Sequence, residues 1–139
     1  MDTTTLRARG HENVTATHET TFEITSDDWL TPAGDCIVGV DADLVPASFD
    51  DEFVRACQDT AARIVATLRV ADHETEIRGR GDPRLTFEND RSAVFRTSEY
   101  VDDRTVMVEA SAAAADLDRS IVEALSQGAD LECTLRVER

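Results

Sequence analysis

The sequence predicts an α+β domain, mostly antiparallel β, with two helices and a pseudo-two-fold internal duplication, either barrel-like or two packed sheets. Three observations carry that prediction. Several segments alternate apolar and polar residues with period two, as half-buried strands do. Two others repeat apolar residues every three or four positions, the stripe of an amphipathic helix. Both kinds of segment follow in the same order twice along 139 residues, a length that suits one hydrophobic core. The expected division is a single domain over residues 1–139, with repeat units of roughly 6–70 and 77–137.

The elements follow in chain order. In residues 14–24, Val14, Ala16, His18, Thr20, Phe22 and Ile24 point one way and Thr15, Thr17, Glu19, Thr21 and Glu23 the other, a strand pattern. Residues 27–35 contain Pro32 and Gly34 and read as a turn-rich connection. Residues 37–40 are a short apolar run, the mark of a buried strand. Ser48 or Asp50 can cap a helix on which Phe49, Phe53 and Cys57 recur every four residues. Ile64, Ala66, Leu68 and Val70 then alternate with Arg63, Val65, Thr67 and Arg69, and a turn at Asp72 and His73 leads back through residues 74–78. In the second half, residues 84–87 and 93–96 predict strands around a turn at Asn89 and Asp90, and residues 105–110 a further strand. Asp116 or Asp118 opens a helix with Leu117, Ile121 and Leu125 on its face, closed by Gly128. Leu131, Cys133, Leu135 and Val137 form the last strand.

The duplication is visible residue by residue. Leu6-Arg7-Ala8-Arg9-Gly10 parallels Ile77-Arg78-Gly79-Arg80-Gly81, and Val38-Gly39-Val40-Asp41-Ala42 parallels Val106-Met107-Val108-Glu109-Ala110. Asp50, Phe53, Val54 and Ala56 match Asp118, Ile121, Val122 and Ala124, and Thr67-Leu68-Arg69-Val70 returns as Thr134-Leu135-Arg136-Val137. The offset drifts only from 71 to 68 to 67. Each unit is expected to bury its apolar face against the other.

Charge is the sharpest compositional fact. There are 29 acidic and 14 basic side chains, for a net charge of −15, and every basic residue is Arg. In dilute salt that charge strains a fold by self-repulsion. At molar salt the screening length falls to about 3 Å, so a salt-loving archaeon's cytoplasm is the expected setting. No run of about 18 apolar residues offers a spanning helix, and the opening Met1-Asp2-Thr3-Thr4-Thr5 has no secretory pattern. Cys36, Cys57 and Cys133 are odd in number and widely spaced, which argues against a disulfide framework or closed zinc site.

Two loops hold the chemistry. Arg9-Gly10-His11-Glu12-Asn13, with His18 downstream, offers guanidinium, imidazole and carboxamide around a flexible glycine. His18 reads equally as a hydrogen-bonded core histidine, and His11 as part of a surface turn. Arg78-Gly79-Arg80-Gly81-Asp82-Pro83-Arg84 is the most positive stretch of the chain, suited to a phosphate or carboxylate, or else a tight turn whose arginines pair with nearby acids. Asp35 reads as a turn residue, and Tyr100 as lining a pocket or capping the core. The resulting assignment gives His11, His18 and Asp82 acid–base work and Arg9, Asn13, Arg80 and Arg84 ligand contacts. His11, His18, Asp35 and Asp82 are the residues from which a metal site could be drawn, though no spacing demands a metal or other cofactor. Nucleotide-loop, nucleophile and HExxH motifs are absent.

Arg9-Gly10-His11, residues 13–18, 21–25, Leu30-Thr31-Pro32, Gly34-Asp35-Cys36-Ile37 and Gly79-Arg80-Gly81-Asp82-Pro83-Arg84 together resemble an archaeal family catalogued as domain of unknown function 371. The resemblance covers nearly the whole chain and departs only where Arg and acids replace Lys. It implies a stand-alone small archaeal protein; a nuclease label attached within the family assigns no residue a role. The expected function is anionic-ligand binding or phosphate-ester processing through the loops around His11 and Asp82. The alternative is a non-catalytic binding or assembly module, as a homodimer or in a nucleic-acid-processing complex. The expected partner is an anionic small molecule or phosphate ester, not a membrane. Surface charge argues against nucleic acid.

Overall fold

The computed structural model describes residues 2–138; Met1 and Arg139, the ends of the expected span, lie outside the described residues. Eight strands and two helices follow as β1 (Thr3–Arg9), β2 (Thr21–Thr25), β3 (Ile37–Gly39), α1 (Asp51–Cys57), β4 (Arg63–Val70), β5 (His73–Arg80), β6 (Ser92–Arg96), β7 (Thr105–Met107), α2 (Arg119–Ser126) and β8 (Asp130–Glu138). A short 3-10 turn precedes each helix, at Pro46–Ser48 and Ala114–Asp116. The strands form two four-stranded sheets, ordered β1-β8-β4-β5 and β3-β2-β6-β7. The first is antiparallel throughout; in the second, β3 and β7 lie parallel to β2 and β6. Of the two expected arrangements, the packed sheets are found. No barrel closes among the described residues, and isolated bridges link Arg9 to Val40 and Arg80 to Val108.

The two-fold relation is explicit in the pairing register. At the middle of the first sheet Thr67 pairs with its own counterpart, Thr134. In the second, Glu23 pairs with its counterpart Val94, and next to them the rings of Phe22 and Phe95 stack with centroids 4.2 Å apart. Left-handed backbone recurs as well: Ala16 and Phe87 have φ of 49° and 53°, and Asp41 and Glu109 have 59° and 51°. Side chains other than glycine rarely adopt such values, so their repetition at equivalent positions marks a shared backbone path.

Local chemistry explains the boundaries. Asp50 and Asp118 cap the helices by accepting the amides of Glu52 and Ser120. The Val70–His73 pair closes a two-residue hairpin loop at Ala71 and Asp72, where Ala71 takes φ 55°. Three sequence expectations need correction. The strand expected over residues 14–24 shortens to Thr21–Thr25, because left-handed Ala16 bends the chain and His18 takes up the next amides. Residues 84–87 form no strand; Leu85 and Phe87 are buried in an extended connection equivalent to Val14 and Ala16. The strand over 105–110 stops at Met107, since Glu109 turns left-handed and Val108 bridges to Arg80 in the other sheet. Strand β1 was not expected at all.

One apolar core joins both sheets and both helices. Phe87, from the second half, meets Phe49 and Phe53 beside α1 at centroid distances of 5.7 and 6.4 Å. Two glycines cross between the halves in the same way. A methyl at Gly10 would overlap the Leu125 carbonyl of α2, and one at Gly81 would overlap the Cys57 carbonyl of α1. Gly81→Ala should therefore lower unfolding stability by about 1–3 kcal/mol in urea titrations. Gly34→Ala, whose methyl meets first the flexible end of Leu30, should lose less.

Candidate functional site

The two chemistry-bearing loops follow the ends of β1 and β5. These are the opposite edges of the first sheet, and three successive antiparallel pairings make them run oppositely. Arg9 and Arg80 therefore end up at diagonal corners. His11 and Asp82 hold equivalent positions in the two copies, at those separate corners. The shared cleft and the shared metal set of His11, His18, Asp35 and Asp82 are corrected accordingly. Among the described residues, no three His, Cys, Asp or Glu side chains are grouped to hold a metal ion.

Each predicted acid–base residue has a definite local task. His11 Nδ1 accepts the Asn13 amide at 3.0 Å, just as Asp82 Oδ1 accepts the Arg84 amide at 2.8 Å in the other copy. His18 Nδ1 accepts the amides of Thr20 and Thr21 at 3.3 and 3.2 Å. Its counterpart Asn89 does the same through Oδ1, taking Arg91 and Ser92 at 2.9 and 2.8 Å. Both imidazoles thus serve as turn acceptors where the second half uses carboxylate or carboxamide, and each must carry its ring proton on Nε2. His18 is half-buried rather than in the core.

Asp82 is buried and engaged on both oxygens. Arg84 holds it through Nε at 2.9 Å and Nη2 at 3.0 Å, and Arg80 Nη1 lies 3.3 Å away. The Arg84 side-chain and backbone bonds, aided by Arg80, keep its carboxyl well below the ordinary range. A carboxylate held this way is a poor proton carrier near neutral pH. Arg80 is well engaged too, donating to Glu109 at 2.6 Å, Glu99 at 3.1 Å and the Gly81 carbonyl at 2.9 Å, and one Nη2 N–H is left without a partner among the described residues. Arg84 also reaches the Glu99 carbonyl at 3.0 Å, and Asn13 the Leu30 carbonyl at 2.7 Å. Arg9 is held more loosely, 3.4 Å from the carbonyls of Gly10 and Asp28 and 3.6 Å from Asp41.

Behind these corners lie two equivalent grooves. One, of about 690 Å³, is lined by Arg7, Arg9, Arg69, Asp41, Asp130 and Glu132 among others, so its charges balance. The other, of about 520 Å³, has Arg63, Arg78 and Arg80 against a single carboxylate, Glu109, with Thr60 beside them. The difference lies in one exchange. Arg9 stands opposite Asp130 across β1 and β8, whereas Arg80 stands opposite Arg63 across β5 and β4. Arg78 pairs with Glu76 at 2.8 Å and Glu138 at 3.8 Å, but the Arg63 side chain has no hydrogen bond or ion pair among the described residues. Sequence reasoning missed Arg63; its equivalence to Asp130 at the offset of 67 was the available signal.

The outer face of the second sheet is polar yet mostly covered. Asp102 accepts Arg96 Nη2 at 3.0 Å, Arg104 Nη2 at 2.9 Å and the Arg104 amide at 2.9 Å. Burial opposes its charge, but the Arg104 bonds and the Arg96 charge outweigh that and lower the carboxyl to about 2. Cys36 donates to Glu23, and burial with that neighbouring charge pushes the thiol up to about 11, which disfavours a nucleophilic thiolate. Burial raises Cys133 to about 12. Tyr100 is exposed, with the Arg96 guanidinium 4.8 Å from its ring centre.

Fold and loops together define a two-sheet α+β domain built from two related halves. The chain belongs to the family described as Domain of unknown function (DUF371), whose sequence profile matches residues 6–138. It is similar to an uncharacterised protein of Methanocaldococcus jannaschii, 40% identical over 126 residues, covering 91% of this chain and 93% of that protein.

Two outcomes test these roles. His18→Asn should retain stability, because a carboxamide does the same work at position 89, while His18→Ala should lose about 1 kcal/mol in urea unfolding. The unfolded chain protonates Asp102 near its ordinary value of 3.8, before the folded chain does near 2. Its contribution is therefore fully present above that range and is lost as pH falls through it. Urea midpoints measured across this interval should fall with acidification, and Asp102→Asn should flatten the slope.

Proposed function

We propose that this protein is a non-catalytic binding domain that takes a small anion, of the phosphate or carboxylate class, in the groove of Arg63, Arg78 and Arg80. One observation carries the reading. The Arg63 side chain has no hydrogen bond or ion pair among the described residues; in the ladders it stands between Arg80 of β5 and Glu138 of β8, where the other copy sets Asp130 against Arg9. A ligand anion would give the Arg63 guanidinium the bidentate hydrogen bonding that such groups provide well. The concave wall adds Thr60, and the groove's one carboxylate is already held by Arg80.

This reading retains Arg80 from the expected ligand set and replaces Arg9, Asn13 and Arg84 with Arg63 and Arg78. It favours binding over phosphate-ester processing, because His11, His18 and Asp82 are occupied as turn acceptors away from any common cleft. The acidic, Lys-free composition supports a cytoplasmic setting in a salt-accumulating archaeon, where screening at molar salt leaves short, directional hydrogen bonds as the main source of affinity. No helix among the described residues is long and apolar enough to cross a membrane. The repeat units are proposed to act as one domain.

Calorimetric titration with inorganic pyrophosphate in potassium chloride, with citrate in parallel, tests the site and separates the two anion classes. Saturable heat is expected with one of them. Arg63→Asp, which copies the other groove, should weaken binding by about tenfold or more. No saturable heat with either anion, or unchanged binding in Arg63→Asp, would remove the proposal.

A further inference from the structure

Trp29 and Tyr100 are the large apolar side chains left exposed among the described residues, at 57% and 61%. They are also counterparts: Asp28-Trp29-Leu30 and Glu99-Tyr100-Val101 stand 71 positions apart, in the loops that follow β2 and β6. The duplication therefore presents one exposed aromatic per half at the same place in the fold. The two differ in what covers them. Tyr100 has the Arg96 guanidinium 4.8 Å from its ring centre, and that guanidinium is fixed by Thr105 at 2.8 Å and Asp102 at 3.0 Å. The residue equivalent to Arg96 in the first half is Thr25, which is buried and bonded to Ser92. Trp29 consequently has no such cation over its ring among the described residues.

We infer that Trp29 is a docking point for an arginine-bearing segment of a partner protein, whose guanidinium takes the place that Arg96 fills over Tyr100. Indole is the strongest of the aromatic faces for a cation. Charge complementarity favours the same occupant. Residues 26–36 contain Asp27, Asp28 and Asp35 and no basic residue. Arg91 satisfies Asp27 at 2.8 Å and Arg9 approaches the Asp28 carbonyl, but the carboxylates of Asp28 and Asp35 have no partner among the described residues. A guanidinium stacked on the indole would meet an acidic loop on a protein of net charge −15. Nucleobases also stack on indole, but their phosphates would meet the same carboxylates unfavourably. The site is independent of the groove at Arg63.

Trp29 is the single tryptophan, so its emission reports the site directly. The full chain would be titrated in concentrated potassium chloride with a Gly-Arg repeat peptide, a Gly-Gln peptide of equal length, and an oligouridylate. A saturable change in emission is expected with Gly-Arg alone. By anisotropy of the labelled peptide, Trp29→Leu should weaken binding about fivefold or more while Trp29→Tyr keeps most of it. Both variants should unfold at the parent midpoint, since the side chain is exposed. Equal binding by Trp29→Leu would overturn the inference in favour of general acidic attraction. An equal response to Gly-Gln, or a response only to the oligouridylate, would overturn it too.

Discussion

The pairing of β4 with β8 is the constraint from which the remaining architecture follows. Each strand comes from a different half, and around Thr67 and Thr134 each meets its own counterpart in antiparallel register. On the inner side that register sets Leu68 against Cys133 and Ala66 against Leu135, all buried. A second self-pairing, Glu23 with Val94, centres the other sheet, with Phe22 stacked on Phe95 beside it. Two such contacts, one per sheet, are enough to define a two-fold axis. Every later position then exists in duplicate, including the helices, the left-handed turns and the corners after β1 and β5.

Duplicate backbone slots have been filled with different side chains, and the contrasts are chemically legible. His11 and Asp82 accept equivalent amides, and so do His18 and Asn89. One corner is bound tightly by Arg80 among three carboxylates; the other holds Arg9 at longer distances. The grooves carry opposite charges at Arg63 and Asp130, and the loops carry Trp29 bare and Tyr100 covered. Where symmetry fixes the scaffold, a departure from symmetry needs a local reason. Arg63 is the clearest case, because it stands where the other copy has Asp130 and its side chain has no hydrogen bond or ion pair among the described residues.

Much of the fold was readable because burial imposes period two on strands and a three-to-four spacing on helices. Leu131 to Val137 and the Phe49, Phe53, Cys57 stripe follow those rules closely. Residues 14–20 and 84–87 misled because alternation reports burial on one side, not hydrogen bonding to a neighbour. Val14, Ala16, Leu85 and Phe87 plug the core from unpaired backbone. The site was read less well for a related reason. Residue type identified His11, His18 and Asp82 as capable of proton transfer, but their tasks depend on which amide lies two residues ahead in space. The facing of Arg63 and Arg80 depends on strand register, which no spacing along the chain displays.

The order β1-β8-β4-β5 also has a consequence during synthesis. Strand β1 is made before the other described strands, yet its ladder partner β8 is made after all of them. Gly10 likewise seats on α2, so the first corner has nothing to rest on until that late helix is present. Pairing across such a sequence separation is slow, because the loop must close before any contact rewards it. For most of translation, β1 is an unpaired edge beside buried-type side chains, the form of chain most exposed to mispairing. The charges on its outward side, Arg7 and Arg9, then acquire a kinetic meaning: they favour hydration of an early strand until Glu132 and Asp130 of β8 arrive opposite them.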